Sequence, residues 1–111
     1  MILTSGCFDG LHVGHMASLR RAARLLYEFE TLVVAVAPDA YIRQQKGREP
    51  RWAVADRVAV VSALKMVSRV VVHGDTGVED IIEREAPRLL VKGADWQDRL
   101  TPAVLDACRE A

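Results

Sequence analysis

Residues 6–15 read GCFDGLHVGH and connect a short apolar segment, residues 2–4, to a segment with helical spacing. Glycine lets the backbone turn tightly and come close to a ligand, and three glycines fall within this stretch. The start of a helix offers unpaired N–H groups and the positive end of the helix dipole to a phosphate. The stretch therefore predicts an anion-binding turn between a strand and a helix.

Short, continuously apolar runs recur along the chain, separated by segments with helical spacing. Buried strands of a parallel sheet have this pattern, because helices cover both faces of the sheet. The predicted elements are strands at 2–4, 32–37, 70–72 and 89–91 and helices within 16–26, 54–64, 78–85 and 101–110. Their alternation predicts an α/β protein with an open doubly wound parallel sheet, in which ligands bind outside the carboxyl ends of the strands.

Size and charge limit the classes of function that the chain can have. Its 111 residues predict one domain over 1–111, and equal numbers of acidic and basic residues give a net charge of zero. A general attraction to nucleic acid or to an anionic membrane is therefore not expected. The two cysteines lack the paired spacing of a zinc or redox motif, and no apolar run is long enough to span a membrane. These features predict a cytoplasmic protein.

Two histidines at the predicted helix start are candidates for phosphate chemistry. His12 and His15 are three residues apart, so both imidazoles can face one side and donate hydrogen bonds to a phosphate. As isolated residues they would be an ordinary turn residue and an ordinary helix residue, but their place in a glycine-rich turn favours the functional interpretation. No third ligand accompanies them, so no metal site is predicted among the side chains.

The same residues resemble a known family. Gly6-Cys7-Phe8-Asp9 followed by His12-Val13-Gly14-His15 is similar to the signature of the cytidylyltransferase-like (HxGH) nucleotidyltransferases. Residues 46–47, 56–57 and 90–96 resemble segments of the adenylyltransferase domain of bacterial ADP-heptose synthase, and glycerol-3-phosphate cytidylyltransferase is more distantly similar. The resemblance covers nearly the whole chain and implies a Rossmann-like fold.

The resemblance implies a reaction in which a substrate phosphate oxygen attacks the α-phosphorus of a nucleoside triphosphate and pyrophosphate leaves. It implies Mg²⁺ as cofactor, ATP or CTP as nucleotide with AMP transfer favoured over CMP transfer, and a sugar or polyol phosphate as acceptor. Its implied catalytic residues are His12, His15, Lys46 and Arg57. Its implied nucleotide-binding residues are Gly6, Cys7, Phe8, Asp9, Gly14, Lys92, Gly93 and Asp95.

Several of these side chains have plainer interpretations. Asp9 can cap the turn as well as help to hold metal or substrate. Lys46 lies in the longest polar connection, residues 38–52, which is the natural candidate for a mobile loop over a site, and a lysine there is usually solvated. Arg57 can pair with Asp56 or Glu49 on a helix surface, a contact that is worth little.

One departure from the family pattern affects the expected activity. Similar enzymes carry a Ser/Thr-rich motif after a fifth strand, whereas this sequence ends at Ala111 before such a segment. The expectation is a C-terminally short domain that lacks the last strand and helix. The alternative to an enzyme is a nucleotide-binding module or degenerate homologue without efficient turnover. Similar enzymes are often dimers, which leaves a homodimer open by analogy.

Overall fold

A computed structural model describes residues 1–91 of the chain. Its elements are, in chain order, β1 (Ile2–Gly6), α1 (Val13–Arg24), β2 (Leu32–Val36), α2 (Asp39–Lys46), α3 (Val54–Ser62), β3 (Arg69–Val72), α4 (Glu79–Glu85) and β4 (Leu89–Val91). The four strands form one sheet in the order β3-β2-β1-β4, and every neighbouring pair is parallel. This confirms the predicted α/β class and each of the four predicted strands.

The continuous apolar runs are explained by the two helical layers that cover the sheet. Alternate residues of a strand point to opposite faces, and both faces are packed here. Val34 belongs to a core cluster with Leu19 of α1 and Val61 of α3. Its neighbour Val33 belongs to the opposite cluster, with Ile81 of α4. The central strand positions are therefore mostly apolar, with the buried Thr4 of β1 as an exception, which is why polar alternation is missing from the sequence.

The order of the strands fixes where a ligand can bind. The chain moves outward from β1 to β2 and β3, and it then returns to place β4 on the other side of β1. Direction therefore reverses between β1 and β4, and in doubly wound sheets the crevice at such a switch point receives the ligand. The turn 6–15 leaves the carboxyl end of β1, so the predicted anion site lies beside this crevice.

The segment 38–52 differs from the prediction of a mobile loop, because its first half is helix α2. Asp39 lies in the first turn and Lys46 in the last, where each charge complements the helix dipole. Ile42 is fully buried and anchors the helix, and Gly47 ends it in a left-handed conformation with φ of 66°. Only one apolar residue of α2 is buried, so the sequence carries too weak a stripe to reveal the helix.

Some predicted features lie outside residues 1–91. They are the proposed nucleotide contacts Lys92, Gly93 and Asp95 and the helix expected at 101–110. The strand that precedes these contacts is in place, because β4 pairs with β1 from Ile2↔Leu89 to Thr4↔Val91. Within residues 1–91, no helix has the length and apolar character needed to cross a membrane.

Candidate active site

The turn after β1 has a strained backbone that is held by packing. Phe8 has φ of 52°, which is uncommon for a side chain other than glycine, and its ring is buried. The ring lies over Gly6, where an added Cβ would come within 3.1 Å of Phe8 Cε2. Gly10, with φ of 96°, completes the turn. Packing of Phe8 thus fixes the turn whose residues line the proposed site.

The two histidines of the signature cap the first turn of α1. His12 is the N-cap residue, and its Nδ1 accepts a hydrogen bond from the Gly14 N–H at 3.0 Å. His15 Nδ1 accepts from the His12 N–H at 3.2 Å, so the pair forms a reciprocal capping box. Because each Nδ1 is an acceptor, a neutral ring carries its proton on Nε2. Each imidazole can then donate that N–H to a ligand.

Gly14 is required by the position of the first imidazole. A Cβ at this residue would lie 2.7 Å from His12 Cε1, a distance that would force the ring away. The rings of His12 and His15 are held with their centroids 4.1 Å apart, and the Phe8 ring lies 5.3 Å from that of His15. The spacing His-x-Gly-His therefore has a packing explanation: the glycine makes room for the first ring above the helix start.

A cleft opens along the turn after β1 and along α1 from Gly14 to Arg21. Its volume of about 730 Å³ is within the size range of small-molecule sites. It brings together most of the predicted site residues of the described chain. It is lined by Thr4, Ser5, Gly6, Cys7, Phe8, Asp9, Gly10, His12, Gly14, His15, Ala17, Ser18, Leu19, Arg21, Lys46, Arg48 and Arg51. Arg57 is the one predicted residue of 1–91 that does not line it.

The charges around the cleft are strongly one-sided. Arg21, Lys46, Arg48 and Arg51 line it, against the single carboxylate of Asp9. The chain as a whole has no net charge, so this cationic lining is a local arrangement suited to a polyanion. The predicted sites did not include Arg21, Arg48 and Arg51, because the sequence around a long charged side chain does not show which side it will face.

The carboxylate of Asp9 is occupied by groups from the segment after α2. Its Oδ2 accepts from Arg48 Nη1 at 2.7 Å and from the Arg51 N–H at 2.8 Å, and its Oδ1 accepts from the Trp52 N–H at 2.8 Å. Desolvation raises the pKa of this carboxyl, but the three hydrogen bonds outweigh it and hold the pKa at about 2. Asp9 is therefore ionised at neutral pH, and its carboxylate accepts hydrogen bonds from the backbone of Arg51 and Trp52, more than forty positions away.

Arg57 lies at the first turn of α3, as predicted, but its guanidinium is fully buried. It does not form the predicted surface pair with Asp56 or Glu49. Its Nη2 bonds the Asp39 carboxylate at 2.6 Å, and its other donors reach main-chain oxygens. These acceptors are the carbonyls of Cys7, Ala37 and Trp52. Such a planar fork can join several chain segments at once.

The Cys7 side chain is half-buried beside the histidines. Burial raises the pKa of the thiol, against the opposing positive charges of Lys46, Arg57 and Arg48. The thiol is therefore protonated at neutral pH and is poorly suited to act as a nucleophile.

The described cleft offers little to a Mg²⁺ ion. Magnesium prefers carboxylate oxygens, and the one carboxylate of the lining already accepts three hydrogen bonds. Among residues 1–91, no cluster of three or more His, Cys, Asp or Glu side chains is placed to hold a metal. The described residues therefore do not fit a metal held by the protein itself.

Comparison with known proteins identifies the family and agrees with the fold. The Cytidylyltransferase-like family profile matches residues 3–109, which is nearly the whole chain. The chain belongs to the cytidylyltransferase-like family. Among solved structures, it superposes with a TM-score of 0.81 on the lipopolysaccharide core biosynthesis protein from Thermoplasma volcanium GSS1. The two are 25% identical, and the match covers 98% of this chain and 85% of the other.

Curated relatives share more of the sequence. The chain is 44% identical over 98 residues to the bifunctional protein HldE of Halorhodospira halophila (strain DSM 244 / SL1), and 40% identical to that of Shewanella sp. (strain ANA-3). In both cases the match covers 87% of this chain. The chain spans about a fifth (20%) of the length of these relatives, so it is similar to one part of a larger protein.

Proposed function

We propose that the chain is a nucleotidyltransferase that transfers a nucleotidyl group from a nucleoside triphosphate to a phosphorylated acceptor and releases pyrophosphate. The observation that carries this proposal is the paired imidazoles of His12 and His15 at a helix start, within a cleft whose lining carries four cations and one carboxylate. Triphosphates are the natural ligands of such an arrangement, since positive charge and N–H donors meet at one place. Membership of the family supports the same class of reaction.

The proposed chemistry needs positioning and charge stabilisation rather than a covalent intermediate. A phosphate oxygen of the acceptor attacks the α-phosphorus, and the bond to the pyrophosphate leaving group breaks. The Nε2–H groups of His12 and His15 donate to the phosphoryl oxygens whose charge grows in the transition state. Lys46 and Arg48 neutralise the leaving pyrophosphate. Mg²⁺ would arrive bound to the triphosphate and would supply further neutralisation of its charge.

The choice of substrates is part of the proposal. We favour ATP over CTP because the sequence resembles the adenylyltransferase domain of ADP-heptose synthase more closely than a cytidylyltransferase. A sugar or polyol phosphate is favoured as acceptor for the same reason. The similarity to a lipopolysaccharide core biosynthesis protein supports a sugar-related substrate.

Pyrophosphate release by the purified chain tests the proposal. The assay contains Mg²⁺, either ATP or CTP, and one member of a panel of sugar and polyol phosphates, with His15→Ala as the control variant. Release that requires both substrates and falls by at least about 10²-fold in the variant is expected. A folded chain that binds ATP but releases no pyrophosphate with any acceptor would contradict the transferase and favour the nucleotide-binding module.

A further inference from the structure

The backbone of Trp52, next to the cleft, is held through both its N–H and its carbonyl group. The Trp52 N–H donates to Asp9 Oδ1 at 2.8 Å, and the Trp52 carbonyl accepts from Arg57 Nε at 2.9 Å. The preceding N–H, that of Arg51, also donates to the Asp9 carboxylate. Both holding groups are tied to the signature turn, because Asp9 belongs to it and Arg57 Nη1 bonds the Cys7 carbonyl at 2.8 Å.

The side chains that hold the Trp52 backbone are themselves removed from solvent. The Asp9 side chain is 2% exposed, and Arg57 is fully buried. Arg57 also reaches the end of β2 through the Ala37 carbonyl and the start of α2 through Asp39. Hydrogen bonds of charged groups in such surroundings are stronger than neutral ones, so the attachment is firm.

The attached stretch carries the cations that face the cleft. We call residues 46–52 the basic segment; it contains Lys46, Arg48 and Arg51, all of which line the cleft. Arg48 is fixed directly, through its ion pair with Asp9 at 2.7 Å. Arg51 is placed through the backbone that Asp9 and Arg57 hold, and Lys46 ends helix α2, whose first residue, Asp39, is bonded by Arg57. The position of these charges thus depends on the buried Arg57 and on Asp9, whose carboxylate oxygens are occupied by Arg48, Arg51 and Trp52.

We propose that Asp9 and Arg57 are positioning residues that clasp the basic segment to the signature turn, so that its cations stand over the cleft before a triphosphate enters. The proposal rests on the proposed function for the identity of the ligand, while the clasp is a property of the free protein. Cations that are already in place need not move when negative charge develops in the transition state. Asp9 acts through Arg48, Arg51 and Trp52 and is not a ligand of Mg²⁺.

Amide hydrogen exchange in the ligand-free chain tests the clasp without any activity. The Arg51 and Trp52 amides are expected to be protected in the wild type, because both donate to a shielded carboxylate. Asp9→Asn removes the negative charge and leaves one neutral oxygen where two carboxylate oxygens served three donors, so both amides are expected to exchange about tenfold faster or more. Glu49→Gln is the matched control, because Glu49 lies in the same segment but pairs outward with Arg43 and is 73% exposed.

Two results of this measurement overturn the proposal. One is free exchange of the Arg51 and Trp52 amides in the wild type, a result that needs no variant to fold. The other is unchanged protection in a folded Asp9→Asn. Protection of the β2 amides reports whether the variant is folded. Arg57→Lys supplies an independent variant, because lysine keeps the charge but cannot bond all four acceptors; it is expected to loosen the Trp52 region in the same way.

Ligand measurements separate a clasp from a metal ligand. Asp9→Asn and Arg57→Lys are expected to raise the Kd for ATP, or the KM where turnover is measured, by about tenfold, and to leave the Mg²⁺ concentration for half-maximal effect unchanged. A selective rise in the Mg²⁺ requirement of Asp9→Asn would assign Asp9 to the metal and overturn the proposal. If the wild-type amides are protected but no acceptor yields pyrophosphate, the proposed transferase fails while the clasp stands.

Discussion

Two carboxylate–arginine clusters lie at opposite ends of the sheet and are built from the same chemistry. Asp9 pairs with Arg48 where the strands end, and Glu30 pairs with Arg88 where the strands begin. Glu30 accepts from Arg88 at 2.7 and 2.8 Å and from the Tyr27 N–H at 2.9 Å. The Arg88 hydrogen bond is the main cause that lowers the pKa of Glu30 to about 2, the same value as that of Asp9.

The clusters differ in what they hold. Glu30 and Arg88 join the loop after α1 to the residues just before β1 and β4: Glu30 pairs with the Met1 amino group, and Arg88 donates to the Leu25 carbonyl. Asp9 holds the basic segment beside a cleft that contains two imidazoles. A strongly lowered pKa therefore marks firm attachment in both places and function in neither by itself. The topology separates them, because the carboxyl ends of β1 and β4 form the crevice.

The largest effect on turnover is expected when the imidazole of His12, at the carboxyl end of the sheet, is replaced. His12→Asn keeps a side-chain acceptor for the Gly14 N–H but removes the Nε2 donor. Turnover is expected to fall by about 10²–10³-fold, while the free energy of unfolding changes by less than about 0.5 kcal/mol. His12→Ala is expected to lose the same activity and about 1 kcal/mol of stability, because the cap is lost as well. Activity assays and urea unfolding of both variants make the check; retained turnover in His12→Asn would contradict a role for the ring.

A smaller effect is expected for Glu30→Gln, at the other end of the sheet. This variant should lower the stability of the protein without weakening the binding of ATP. The pKa of Glu30 is lowered from its ordinary 4.5 to about 2, so the unfolded state binds more protons in this range. Its stabilising contribution is complete above pH 4.5 and is lost as the pH falls toward 2. Urea unfolding between pH 3 and 6 should show lower stability and a flatter acid dependence in Glu30→Gln. The Kd for ATP should stay within about twofold of the wild-type value, since the site is distant. A rise in this Kd as large as that expected for Asp9→Asn would show that the two clusters do not differ in their effect on binding.

The smallest effect concerns the thiol of Cys7. Because burial raises its pKa, alkylation by iodoacetamide at pH 7.5 should be slower than that of an exposed cysteine. The measurement uses a Cys108→Ala chain, so that one thiol is followed. ATP should slow the reaction further, because Cys7 lines the cleft. Alkylation as fast as that of a free thiol, with no protection by ATP, would place the nucleotide elsewhere.

Local sequence determined the sheet and the turn. Runs without polar alternation identified all four strands, since a strand covered on both faces has no solvent-facing side that would favour polar residues at every second position. Helix α1 begins at Val13, where the signature predicted it, because His12 and His15 cap the turn with their own side chains and Gly14 makes room for the ring. These are contacts between residues a few positions apart, so the sequence contains them directly.

Only the tertiary structure decided which charges belong to the site. Arg43 and Arg48 are similar side chains five positions apart, yet Arg43 pairs outward with Glu49 and Arg48 reaches Asp9 from a position thirty-nine residues later in the chain. Arg57, expected at a surface or at the triphosphate, is buried and joins four segments. The direction of a long charged side chain depends on acceptors supplied by distant segments, and only the folded chain brings those segments together.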